Sequence, residues 1–180
     1  MKTVCVPLAP GFEEIEAVTV IDVLRRAGVT VVVAGTDPGP IRGSHGITIT
    51  PDTTIDRVDA ETLDMIALPG GMPGTLELRE SQQVRASIVR LTARGRYAAA
   101  ICAAPMVLAA AGVLEGKRAT SHPSVRDQLP AVSYREDAVV EDGTIVTSRG
   151  AGTAMAFALR LVSLLVDDET AERLRTAMVA

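Results

Sequence analysis

At 180 residues, 47% of them apolar, the chain fits one ordinary domain with a substantial core. A formal net charge of −4, two tyrosines, two phenylalanines, no tryptophan and no basic run offer no surface for a phosphate backbone or stacked bases, so no dedicated nucleic-acid surface is expected. No apolar stretch reaches the ~18 residues of a membrane span, and Met1-Lys2-Thr3-Val4-Cys5 leads into a strand rather than a signal peptide, which points to a cytoplasmic location.

Apolar strands alternate with amphipathic helices, the pattern of a mostly parallel sheet covered on both faces. A first strand, Thr3 to Leu8, turns at Pro10-Gly11 into a helix from Glu13 to Ala27, with Ile15, Val18, Ile21 and Leu24 on one face and Gly28 as its stop. Val29 to Ala34 is the second strand. The Gly-, Pro- and Asp-rich stretch from Gly35 to Asp59 holds a short alternating piece at Ile47-Thr48-Ile49-Thr50, read as a side hairpin. Met65 to Leu68 is a third strand ending in Pro69-Gly70-Gly71-Met72-Pro73-Gly74, and a polar helix from Ser81 to Arg94 leads to a strand that begins at Tyr97. Beyond it lie a helix from Pro105 to Gly112, short pieces at Ser133 to Arg135 and Ala138 to Glu141, a strand from Thr144 to Thr147, and helices over Thr153 to Val166 and Asp168 to Met178.

Tyr97-Ala98-Ala99-Ala100-Ile101-Cys102-Ala103-Ala104-Pro105 reads as a buried strand running straight into a helix, with one thiol at the joint and small residues around it. Such a sharp turn holds its central residue strained and exposed, and the helix start beyond it favours thiolate. A cysteine among alanines is also, in the plainer reading, a small buried hydrophobe. Cys5 lies inside the first strand, so the two cysteines form no disulfide framework, match no zinc spacing and are expected to be reduced.

In a doubly wound sheet the ligand crevice lies beyond the carboxyl ends of the strands. Two further unusual segments fall there. In Gly11-Phe12-Glu13-Glu14-Ile15-Glu16, acids at a helix start complement the macrodipole, which accounts for Glu13 and Glu14. Glu16 lies close to the apolar face, where burial and a neighbouring thiolate would raise its pKa and let it carry a proton. Gly70-Gly71 is either a plain turn or a source of backbone N–H groups for an oxyanion beside Cys102. Of the two histidines, His122 in Thr120-Ser121-His122-Pro123 is the first candidate for a proton shuttle and His45 in Arg42-Gly43-Ser44-His45-Gly46 the second, although a loop histidine is commonly a hydrogen-bonded surface group. Thr153 fits a helix N-cap after the tight turn of Gly150 and Gly152.

Together, Gly11 to Glu16, Leu68 to Gly71, Ala99 to Pro105, Thr120 to Pro123 and Thr147 to Gly150 resemble the ThiJ/PfpI superfamily, in particular the branch containing the parkinsonism-associated protein and its bacterial relatives. The match runs in order from residue 3 to about residue 165. The resemblance implies one domain over residues 1–180, a flavodoxin-like three-layer α/β/α sandwich and a homodimer. It makes Cys102 an oxidisable nucleophile with a protonated Glu16 against it, Gly71 and Ala103 (with Gly70) the oxyanion donors, His122 the nearby histidine and His45 a substrate-side group. The implied activity is cofactor-free and metal-free conversion of methylglyoxal or glyoxal to hydroxy acids, with removal of early glycation adducts; redox-regulated chaperoning is the alternative, and a small-molecule binding module a third. Protease-like branches carry histidine directly after the nucleophile. Ala103 stands there in this chain, which counts against a cysteine peptidase. The human-type branch has an arginine where this chain has His45.

Overall fold

The computed structural model describes residues 1–129 and 131–180. In chain order its regular elements are β1 (Thr3–Leu8), α1 (Glu14–Arg26), β2 (Thr30–Gly35), β3 (Ile41–Arg42), β4 (Thr48–Ile49), β5 (Thr53–Thr54), β6 (Met65–Leu68), α2 (Gly74–Glu80), α3 (Gln82–Ala93), β7 (Tyr97–Ile101), α4 (Pro105–Ala110), β8 (Arg118–Ala119), β9 (Ser133–Tyr134), β10 (Val139–Asp142), β11 (Ile145–Ser148), α5 (Ala154–Leu165) and α6 (Asp168–Met178).

Seven strands form one sheet in the order β10-β11-β7-β6-β1-β2-β5, parallel throughout except for β10, which runs antiparallel to β11 at one edge. The central strands are apolar on both sides because both faces are covered. Along β7, Ala99 and Ile101 join the core beneath α1, α5 and α6, whereas Ala98 and Ala100 join the core beneath α3 and α4. This is the three-layer α/β/α sandwich expected from the alternation of strands and helices.

The expected side hairpin forms as β3 against β4. Helix α2 and the two-residue strands β5 and β8 have no signature in the sequence: α2 has no side-chain N-cap and opens on glycine, and a two-residue strand carries no periodicity. One face assignment is corrected. Ile15 and Val18 are 57% and 46% exposed, and α1 buries Glu14, Glu16, Ala17, Val20, Ile21, Val23 and Leu24 instead.

From β1 the chain builds outward to β2 and β5, then returns to the other side of β1 and proceeds through β6 and β7 to β11. The reversal puts a crevice at the carboxyl ends of β1 and β6. Phe12, 1% exposed, anchors the loop after β1; Ser44 donates its backbone N–H to the Phe12 carbonyl at 2.9 Å and Glu13 donates its own to the Gly70 carbonyl at 2.9 Å. Burying a ring of this size contributes about 2–3 kcal/mol, enough to hold the loop and the glycine pair in one register.

Candidate active site

At the carboxyl end of β7, Cys102 has φ 63°, in the left-handed region that non-glycine residues rarely occupy. Such a residue persists only when its surroundings enforce it, at a cost on the order of 1–3 kcal/mol. Two bonds enforce it here: the Cys102 N–H donates to the Ser148 carbonyl at 3.0 Å, and the Cys102 carbonyl accepts from the His122 N–H at 2.8 Å. Ala103 and Ala104, both buried, leave the elbow close against its neighbours.

Glu16 reaches this elbow from the first turn of α1. It is 0% exposed, its Oε2 accepts the Gly70 N–H at 2.8 Å, and Oε2 and the Cys102 Cβ both border the space beside Gly70, so the carboxyl packs against the elbow. Among the described residues, Oε1 has no hydrogen-bond partner. Burial pushes the Glu16 carboxyl up to about 7, and the charge of Glu13 adds to it, against the bonds from Gly70 and Cys102 that favour the ionised form.

The thiol is raised as well. Burial first, then the charge and hydrogen bond of Glu16, push Cys102 up to about 12, opposed by the N–H groups of Ala103 and Gly71. The expectation that a helix start alone would favour thiolate is therefore corrected: α4 is six residues long, and burial beside a carboxylate outweighs it. A proton on Glu16 removes the second and third of these causes. The chemically useful state of the pair is a protonated Glu16 against a thiolate, reached by moving one proton from the thiol to the carboxylate.

Gly70 is required by space. A Cβ at that position would lie 2.7 Å from the Cys102 Cβ and 2.9 Å from Glu16 Oε2. The expectation of Gly70 as an oxyanion donor is also corrected, because its N–H is committed to Glu16. Gly71, at φ 94°, occupies a conformation suited to glycine, and its N–H and that of Ala103 are directed at the sulfur. These two amides flank any atom bonded to Sγ.

The histidines are placed differently. His122 is tied to the elbow through its backbone, but its Nδ1 engages the Ser124 hydroxyl at 2.8 Å, and the carboxyl packed against the elbow is that of Glu16. His45 is exposed at the crevice rim, its Nδ1 lying 3.2 Å from Glu14 Oε2.

Glu14 is not a simple dipole complement. It is buried, and its Oε1 accepts the backbone N–H groups of His45 at 2.7 Å and Ile47 at 3.2 Å, clamping residues 43–47 onto α1. Burial pushes its carboxyl up, but bonds from its own N–H, His45 and Ile47 outweigh this and lower it to about 2. A Cβ on Gly43 would strike the Glu14 carboxylate, so the glycine in Arg42-Gly43-Ser44-His45 was the sequence signal for this clamp. Thr153 stands at the N-cap of α5, yet its hydroxyl turns away from the helix to Gly150 and Ser148.

A doubly wound sheet whose strand-to-helix turn holds a strained thiol against a buried carboxyl, with two amides beside the sulfur, defines an α/β protein of the cysteine-elbow class. Within that class the chain belongs to the DJ-1/PfpI family, whose model matches residues 2–164. It is 42% identical to Protein dj-1beta of Drosophila melanogaster over 181 residues, covering 99% of this chain and 97% of that one. It is 37% identical to the glutathione-independent glyoxalase DJR-1.2 of Caenorhabditis elegans over 159 residues, 87% of this chain and 84% of that one. The solved structure of oxidized Toxoplasma gondii DJ-1 superimposes with a TM-score of 0.95 at 42% identity, over 99% of this chain and 98% of the other. Among the described residues no helix is long and apolar enough to cross a membrane.

Proposed function

We propose that the protein is a cofactor-free glyoxalase that converts methylglyoxal or glyoxal to the corresponding hydroxy acid, with early glycation adducts as further substrates. The observation that carries this reading is the buried Glu16 carboxyl, held by the Gly70 N–H and packed against Cys102, with the Gly71 and Ala103 amides beside the sulfur. The named activity of the Caenorhabditis elegans relative supports it.

In this reading Glu16 takes the thiol proton as Sγ bonds to the aldehyde carbon and passes it to the aldehyde oxygen, held by the Gly71 and Ala103 amides, so that a hemithioacetal forms and Glu16 is again a carboxylate. Glu16 then removes the hydrogen on that carbon, the hemithioacetal hydroxyl proton passes to the neighbouring ketone oxygen, and the resulting enediolate takes the proton from Glu16 at the former ketone carbon, leaving a thioester on Sγ. The first carbon is oxidised and the second reduced within one molecule, so no external electron acceptor enters. Water cleaves the resulting thioester to release lactate and restore the thiol. Glutathione-free lactate formation, lost in Cys102→Ser, is the test.

A redox-sensing or chaperone role is the second reading. Amides positioned to hold an oxyanion also suit the oxygens of a Cys102 sulfinate, and the structural match to an oxidized relative favours weighing it. Mild peroxide followed by intact-protein mass measurement tests it: a stable two-oxygen adduct on Cys102 that changes aggregation suppression supports it, and its absence removes it.

A second copy of the chain is proposed as the partner on the α1 face. Ile15, Val18 and Ile47 leave apolar side chains exposed there, with Ile47 bonded through its N–H to Glu14 of the same helix. Sedimentation of a dimer that Val18→Glu converts to monomer would support this; a monomeric unmodified protein would refute it. A cytoplasmic location goes with this proposal, since the reaction needs a reduced thiol.

A further inference from the structure

Ser148, the last residue of β11, supplies the carbonyl that holds the Cys102 N–H, yet the chemistry proposed above makes no use of its side chain. That side chain is buried and its hydrogen bonds have a direction. Ser148 Oγ lies 2.6 Å from the Ala138 carbonyl, which only accepts, so the single Ser148 hydroxyl hydrogen goes there. Thr153 Oγ1 lies 2.7 Å from Ser148 Oγ, and with the Ser148 hydrogen already used, Thr153 must donate. The Gly150 N–H in turn donates to Thr153 Oγ1 at 3.1 Å; the Gly150 carbonyl, 2.9 Å away, is the competing acceptor for the Thr153 hydrogen. The resulting relay runs from the Gly150 N–H through Thr153 and Ser148 to Ala138, and it closes the turn after β11 onto the segment before β10.

We propose that Ser148 and Thr153 are positioning residues for Cys102, their hydroxyl relay fixing the one carbonyl that holds the nucleophile's amide and thereby the place of Sγ between Glu16 and the Gly71 and Ala103 N–H groups. Cys102 is a non-glycine residue held in the left-handed region, so small shifts of its acceptor are transmitted directly to the sulfur. The relay also explains why Thr153 does not cap α5: its oxygen is already engaged on the side of the elbow. The inference deepens the thiol-chemistry reading and rests on it.

The test compares Thr153→Val, which keeps the shape and removes the hydroxyl, with Thr153→Ser, which keeps the oxygen. The measurements are the pH dependence of Cys102 alkylation by iodoacetamide, followed on the Cys102 peptide by mass spectrometry, together with kcat and KM for methylglyoxal and thermal stability. Thr153→Val is expected to displace the alkylation profile along the pH axis and lower kcat about tenfold with KM within twofold, and Thr153→Ser to restore both. A Thr153→Val profile that superimposes on the unmodified protein, or equal loss in both variants, would overturn the proposal. If Thr153→Val does not fold, Ser148→Ala is judged by the same alkylation profile. Absence of methylglyoxal turnover in the unmodified protein would count against the glyoxalase reading alone, because alkylation still decides the positioning role.

Discussion

The Gly70 N–H donates to Glu16 Oε2 at 2.8 Å, entirely out of solvent, and this bond joins the end of β6 to the first turn of α1 beside the Cys102 thiol. One amide thus aims the carboxyl at the sulfur while its own residue leaves no room for a side chain.

Replacing Glu16 by Gln keeps the shape of the group and the acceptor for Gly70 but removes the titratable proton. Turnover of methylglyoxal should fall by about 10²–10⁴, the usual contribution of a positioned acid or base, while Cys102 remains open to alkylation. A Glu16→Gln enzyme with full activity would take Glu16 out of the chemistry.

The same carboxyl should weaken the fold as pH rises. With a folded value of about 7 against an ordinary 4.5, the folded protein holds a proton that the unfolded chain has released, so stability is greatest below about 4.5 on this account and falls through the window up to 7. The loss is on the order of 3 kcal/mol, and Glu16→Gln should exceed the unmodified protein in stability at pH 8 by up to that amount. Denaturant titrations at pH 5 and pH 8 give the comparison; a gap that does not widen with pH would contradict it.

Catalysis carries the matching signature. As pH rises through about 7 the Glu16–Cys102 pair passes from two protons to one, and kcat/KM should climb across that interval and then level. A flat profile from pH 5 to 8 would mean that the pair does not share its proton as described.

Gly70→Ala should reduce activity more than a hundredfold, because its Cβ would meet both the Cys102 Cβ and the Glu16 carboxylate, neither of which is the free end of a mobile chain. Wild-type kinetics would contradict the packing described here.

Glu14→Ala should destabilise the fold by about 1–3 kcal/mol and loosen residues 43–47, since the His45 and Ile47 amides both lose their acceptor. In the unmodified protein this contribution is present above 4.5 and fades as pH falls toward about 2, the sense expected for a lowered carboxyl. Hydrogen exchange at His45 and Ile47 measures the loosening directly.

The sheet and most of its helices were legible because long apolar runs and 3.6-residue periods persist through β1, α1, β6, α3, β7, α5 and α6. Cys102 and Glu16 were legible for a local reason: a thiol between a buried strand and a proline-started helix, and a carboxyl near an apolar face. What the sequence hid was set by tertiary contacts. Ile15 and Val18 fit the helical period as well as Ile21 and Leu24 do, yet α1 presents them outward. The partners of Glu14, Gly70 and Thr153 lie across loops whose approach no local pattern encodes, and the thiol's raised pKa comes first from burial and then from a carboxyl far away in the chain. His122 has the residue type of a shuttle, but its ring serves Ser124.

The central claim is that Cys102, worked by Glu16, converts a reactive aldehyde without a cofactor. The most direct measurement is lactate formation from methylglyoxal by the purified, reduced protein without glutathione, set beside Cys102→Ser. Turnover in the first and none in the second is the predicted result; no lactate from the reduced protein, or equal lactate from both, would contradict it.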